Sequence, residues 1–127
     1  MSEFRHPLKK AIGHGSAGDG VGHWWAQRFS ALLLIGLTVW LIWALTRLVG
    51  ADYSSAAAFL GSPFNATMAI LFMVAGFYHG QLGLQVIIED YVHRRVAEVA
   101  LIVIVKALAL FGAVLSVLAV LKLALGV

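Results

Sequence analysis

Three long apolar stretches, separated by short polar breaks, dominate the chain, and each reads as a helix able to cross a membrane. The first, "AQRFSALLLIGLTVWLIWALTRLVG", covers residues 26–50, where about 20 residues suffice for roughly 30 Å of hydrocarbon. The second, "PFNATMAILFMVAGFYHGQLGLQVIIED" at 63–90, is opened by Pro63, where a helix tolerates proline best, with Ser62 before it as a candidate N-cap. The third, "VAEVALIVIVKALALFGAVLSVLAVLKLALGV", runs from residue 96 onwards after a turn around "YVHRR". Between the first two, "ADYSSAAAFLGS" reads as a loop or a short interfacial helix. The pattern predicts an all-α integral membrane protein without internal repeats. A single membrane-anchor domain is expected over 1–127, with a polar tail over 1–22 and spans at about 26–49, 64–90 and 97–122.

Composition agrees with the pattern. The chain is 61% hydrophobic and 12% charged with a mean hydropathy of +0.93, outside the range of water-soluble domains. Its first 23 residues are polar and Gly-rich, without the apolar core of a cleavable secretory signal, so the N-terminus is expected to be retained. Absence of cysteine excludes disulfides, thiolate metal sites, iron–sulfur clusters and thiol catalysis within this chain. Any redox chemistry must come through a cofactor or a partner.

A net charge of +3 raises the question of nucleic acid, but the nine basic residues are scattered at segment ends without a basic stripe. Membrane topology accounts for them better. Four (Arg5, Lys9, Lys10, Arg28) precede or open the first span, one (Arg47) follows it, two (Arg94, Arg95) lie in the next turn, and Lys122 lies near the end. The positive-inside rule then puts the N-terminus and the turn between spans two and three in the cytoplasm. "HWWAQR" and "EDYVHRR" would meet at that face.

The chemistry concentrates in "HGQLGLQVIIEDYVHRR" at 79–95. An ionisable group at bilayer depth is rare and by default marks a functional site, which singles out His79. Asp90, 11 residues later, lies only about 20° away around a helix and roughly 16 Å along it. One face would thus run from a mid-membrane imidazole to an interfacial carboxylate. Gly76, Gly80 and Gly83 strip side chains from the surface around His79, permitting close approach of another backbone or of a flat macrocycle. Imidazole is a standard axial ligand of haem iron, and a glycine-flanked histidine suits that role. A neutral imidazole satisfied by a neighbouring Ser, Thr or carbonyl is the plainer alternative. His93, about 21 Å further along, is out of reach of the same iron, so a second axial ligand would come from another chain. Tyr91, Trp24 and Trp25 fall where an aromatic belt is expected, Trp40 and Trp43 are compatible with facing lipid, and Arg28 either snorkels or holds an anion such as a haem propionate. Lys106 lies within the third span, where it snorkels or faces a partner. No Walker motif, nucleotide fingerprint, metalloprotease helix or nucleophile elbow is present, so the chain is not expected to catalyse alone.

Taken together, "HWWAQRFSALLL" opening the first span and a mid-span histidine followed eleven residues later by "DYV" resemble the small hydrophobic membrane anchor subunits of succinate dehydrogenase, respiratory complex II. The resemblance spans the three-span layout. It implies that His79 is an axial ligand of the iron of a haem b shared with a larger cytochrome b anchor subunit. Together the two anchors would form a haem-binding helical bundle. By the same resemblance Tyr91 hydrogen-bonds a carbonyl of ubiquinone, Asp90 orders the polar network beside it, and Arg28 and His23 hold the haem propionates, with Gly76 and Gly83 flanking the macrocycle. The implied partners are the flavoprotein, iron–sulfur and larger anchor subunits, and the implied location is a bacterial inner membrane. The absence of an Arg-rich, Ser-rich presequence favours that location over a mitochondrial one. Electrons from succinate would reach the quinone pool through this assembly. A small transporter or proton-relay subunit, a purely structural assembly adaptor, and a fumarate reductase anchor are the competing expectations.

Overall fold

The computed structural model describes residues 18–126 of the chain, and every regular element among them is helical. Helix α1 spans Gly18–Leu48, α2 Tyr53–Gly61, α3 Pro63–Tyr91 and α4 Arg95–Leu125. At about 1.5 Å per residue, the 31, 29 and 31 residues of α1, α3 and α4 each exceed the roughly 30 Å hydrocarbon layer. These three are long and apolar enough to cross a membrane. The most apolar 18-residue stretch of α3 has a mean hydropathy of 1.4, against 2.1 in α1 and 2.7 in α4.

The connections follow from local chemistry. Gly50 takes φ 75°, a left-handed turn that ends α1 at no cost in side-chain sterics. Asp52 then caps α2: its carboxylate accepts the Ser55 amide at 3.0 Å and the Ser54 hydroxyl at 2.9 Å. Hydrogen bonds from Ser55, and then Ser54, hold that carboxyl below its ordinary value of 3.8. Ser62 occupies the N-cap position of α3, but its hydroxyl does not cap forward; it donates back to the Phe59 carbonyl at 2.9 Å. Pro63 supplies the pre-set first turn. Val92–Arg94 link α3 to α4, whose first turn holds an exposed Arg95–Glu98 ion pair of 2.9 Å, worth at most about 1 kcal/mol.

Helix α3 is the centre of the assembly, packing on α1 along one side and α4 along another, while α2 braces the far end against α4 and α3. The buried side chains of α1, Ser30, Leu37, Trp40 and Ala44, repeat at steps of seven, three and four, one stripe of the helix. The buried apolar residues of α3, Ala66, Ala69, Ala75 and Leu82, are mostly small, which lets backbones approach, and Ala69 packs with Trp40 and Ala44 in one cluster. Glycine does the same for α4. A Cβ on Gly112 would lie 2.6 Å from the Phe77 ring, and one on Gly61 2.9 Å from the Leu123 carbonyl oxygen. No residue of α4 is fully buried, and large apolar side chains line the outer surface of all three long helices. That surface suits lipid or apolar partners, not water.

Two details differ from the sequence-based expectations. Helix begins at Gly18, so residues 18–22, expected in the polar tail over 1–22, belong to α1 together with His23, Trp24 and Trp25; residues 1–17 lie outside the described residues. Trp40 does not face lipid. Its ring is only 8% exposed, and its Nε1–H donates to Asn65 at 3.2 Å, because the indole needs a polar partner when buried.

Candidate functional site

His79 sits two residues past the midpoint of α3 and faces α1, where Gln27 and Ser30 reach it. Ser30 Oγ lies 3.0 Å from His79 Nδ1, and the Gln27 side-chain nitrogen lies 3.4 Å from Nε2. The serine hydroxyl is also 3.1 Å from the Gln27 carbonyl oxygen. A hydroxyl has one proton; donated to that carbonyl, it leaves the oxygen to accept the Nδ1–H of the imidazole. A donor amide at Nε2 requires the same tautomer, with its lone pair on Nε2. Ser30 is 6% exposed, so its bond to the imidazole is shielded from water.

The remaining sequence-selected residues distribute around this cluster. Gly83 lies beneath Gln27: a Cβ there would sit 3.7 Å from the Gln27 amide nitrogen. Gly76 has open space where a Cβ would project, and with Gly80, Gln81 and Leu84 it lines a groove of about 260 Å³ on the α4 side. His23, one turn before Gln27 on α1, lines a cavity of about 280 Å³ with Gln85 and Glu89 of α3, so it is near the acidic end of α3 and not beside His79. Arg28 is exposed and stacks over the Trp24 ring at 5.2 Å; it has no carboxylate partner among the described residues. Asp90 and Tyr91 close α3 in its last turn, with Tyr91 78% exposed and no hydrogen bond to either side chain among the described residues. Buried polar atoms without a partner, His23 Nε2, Gln27 Oε1 and Gln81 Oε1, fall in or next to this half of the molecule.

Gln27 and Ser30 escaped the sequence reading. Their signal was nonetheless present: His23, Gln27 and Ser30 recur at i, i+4 and i+7, and the same stripe continues through Leu37 and Ala44. Among the described residues no three His, Asp or Glu side chains cluster as a metal-binding group.

Three helices long and apolar enough to cross a membrane, with polar side chains meeting between α1 and α3, define a multi-pass membrane protein. Sequence comparison gives the family. The chain matches the succinate dehydrogenase/fumarate reductase transmembrane subunits over residues 2–121 and belongs to that family. It is 31% identical to the succinate dehydrogenase hydrophobic membrane anchor subunit of Rickettsia bellii over 93% of this chain and 94% of the relative. The corresponding subunit of Paracoccus denitrificans is 34% identical over 76% of this chain and 74% of its own, and that of Reclinomonas americana 32% over 72% and 79%. No solved structure matches the chain.

Proposed function

We propose that this protein is a membrane anchor subunit of succinate:ubiquinone oxidoreductase that binds haem b through His79 and completes a ubiquinone site with Tyr91 and Asp90. The carrying observation is the imidazole near the midpoint of α3, oriented at Nδ1 by a buried hydroxyl. The residues fit the group. Nε2 is the nitrogen left for iron, and ligation displaces only the Gln27 amide, whose 3.4 Å contact is long for a hydrogen bond. Arg28, exposed and without a carboxylate partner among the described residues, and His23 would face the propionates. Haem b, when bound, supplies a one-electron store at that depth, with its second axial ligand from the larger anchor subunit.

Quinone reduction takes up two protons, so its site belongs at the boundary between lipid and water. Tyr91 and Asp90 end α3 at such a boundary, next to the turn that the charge pattern assigns to the cytoplasm. There the flavoprotein and iron–sulfur subunits dock, and the Tyr91 hydroxyl donates to a quinone carbonyl, stabilising negative charge as it develops. A bacterial inner membrane is the setting that fits these partners and the N-terminal charge pattern.

The experiment is a dithionite-reduced minus oxidised optical spectrum of the detergent-solubilised complex captured through this chain, with a His79→Leu complex alongside. A b-type band present in the wild type and lost in the variant is expected. A band retained in full by the variant overturns the ligand assignment and returns the proton relay, with His23, Gln85 and Glu89 around one cavity, as the leading alternative.

A further inference from the structure

We infer that Ser30 is a positioning residue for the axial histidine: its hydroxyl accepts the Nδ1 proton of His79, fixing the tautomer and the ring plane with Nε2 turned to the iron. This rests on the haem reading above. Three observations carry it. Ser30 Oγ is 3.0 Å from His79 Nδ1 and 3.1 Å from the Gln27 carbonyl, so the hydroxyl is held from both sides. The residue is 6% exposed, which removes water as a competing partner. Ser30 belongs to a helix, α1, and bonds the Gln27 carbonyl of its own turn while reaching His79 on α3, so the acceptor does not drift as a loop residue would.

The chemical consequence is on the metal. An acceptor at Nδ1–H raises the basicity of the ligating nitrogen and thereby favours ferric over ferrous iron. It also sets the rotation of the imidazole about the iron–nitrogen bond, to which the low-spin ferric spectrum is sensitive. Serine at this place is therefore a determinant of potential and ligand orientation, not of haem retention.

The test uses the intact complex with Ser30→Ala and Ser30→Thr, read by potentiometric titration of the haem band and by low-temperature electron paramagnetic resonance. Ser30→Ala is expected to keep its haem, shift the midpoint potential upward and move the largest g value; Ser30→Thr, which retains the hydroxyl, is expected to restore both. Should Ser30→Ala fail to assemble, Ser30→Val set against Ser30→Thr makes the same comparison with matched shape. Identical potentials and g values with and without the hydroxyl, in complexes whose band depends on His79, would overturn the positioning role and leave the haem reading standing. A band that survives His79→Leu would overturn both.

Discussion

Among the described residues two polar clusters are buried, and they are built on opposite plans. At the α2 end, Asn65 receives the Trp40 indole N–H at 3.2 Å and donates to the Phe59 carbonyl at 3.0 Å, tying α1, α2 and α3 in one closed knot. It is 8% exposed and contributes no atom to the unpartnered buried groups. About 21 Å further along α3, the cluster of His79, Gln27 and Ser30 is open, with Gln27 Oε1, His23 Nε2 and Gln81 Oε1 left without partners in or near it. A polar group at membrane depth is costly unless satisfied, so a closed cluster is a device of the fold. The open one leaves buried polar atoms without partners, as the proposed haem site requires.

Breaking the open cluster has the largest expected effect. In His79→Leu the haem b band is lost, while Asn65→Ala retains it in full; the two difference spectra recorded side by side separate ligand from scaffold. Asn65→Ala instead strands the Trp40 N–H and the Phe59 carbonyl, lowering stability by about 1–2 kcal/mol, seen as a lower thermal unfolding midpoint of the solubilised complex. A smaller effect follows from Tyr91→Phe, which removes one hydrogen bond to quinone worth about 1 kcal/mol, or roughly fivefold in apparent quinone affinity. Full quinone affinity in that variant would remove Tyr91 from the proposed quinone site.

The smallest effect lies at the rim of the closed end. Because hydrogen bonds from Ser55 and Ser54 lower the Asp52 carboxyl below 3.8, the cap on α2 stabilises above that pH and is lost as pH falls through the lowered value. Amide exchange at Ser55 should accelerate on acidification through that window, and Asp52→Asn should abolish the dependence. The haem band is expected to remain unchanged throughout.

How much of this was legible in advance differs between the clusters. His79 stood out in the sequence because an imidazole among "FMVAGFYHGQLGL" has no local use, and the family resemblance followed from its spacing to "DYV" together with "HWWAQRFSALLL" opening the first span. Asn65 carried no such signal. Two residues after a proline, it reads as an ordinary helix start, and its partner Trp40 lies 25 residues away on another helix. Ser30, between Phe29 and Ala31, reads as one tolerated small polar residue in a span, and only its register with His23 and Gln27 hinted at a role.

What the sequence by itself determined are the properties that sum along the chain: three apolar helices long enough for a bilayer, the proline that opens α3, and the rarity of charge that isolates His79. Hydropathy and helix propensity act residue by residue, so order along the chain suffices to read them. What only the tertiary structure decided is which polar atoms meet: Ser30 on Nδ1, Gln27 at Nε2 and Trp40 on Asn65. Those pairings depend on the rotation and stagger of one helix against another. In an apolar solvent these are set by close packing of small residues, such as Ala69 and Ala75, and by the cost of leaving a buried polar group alone.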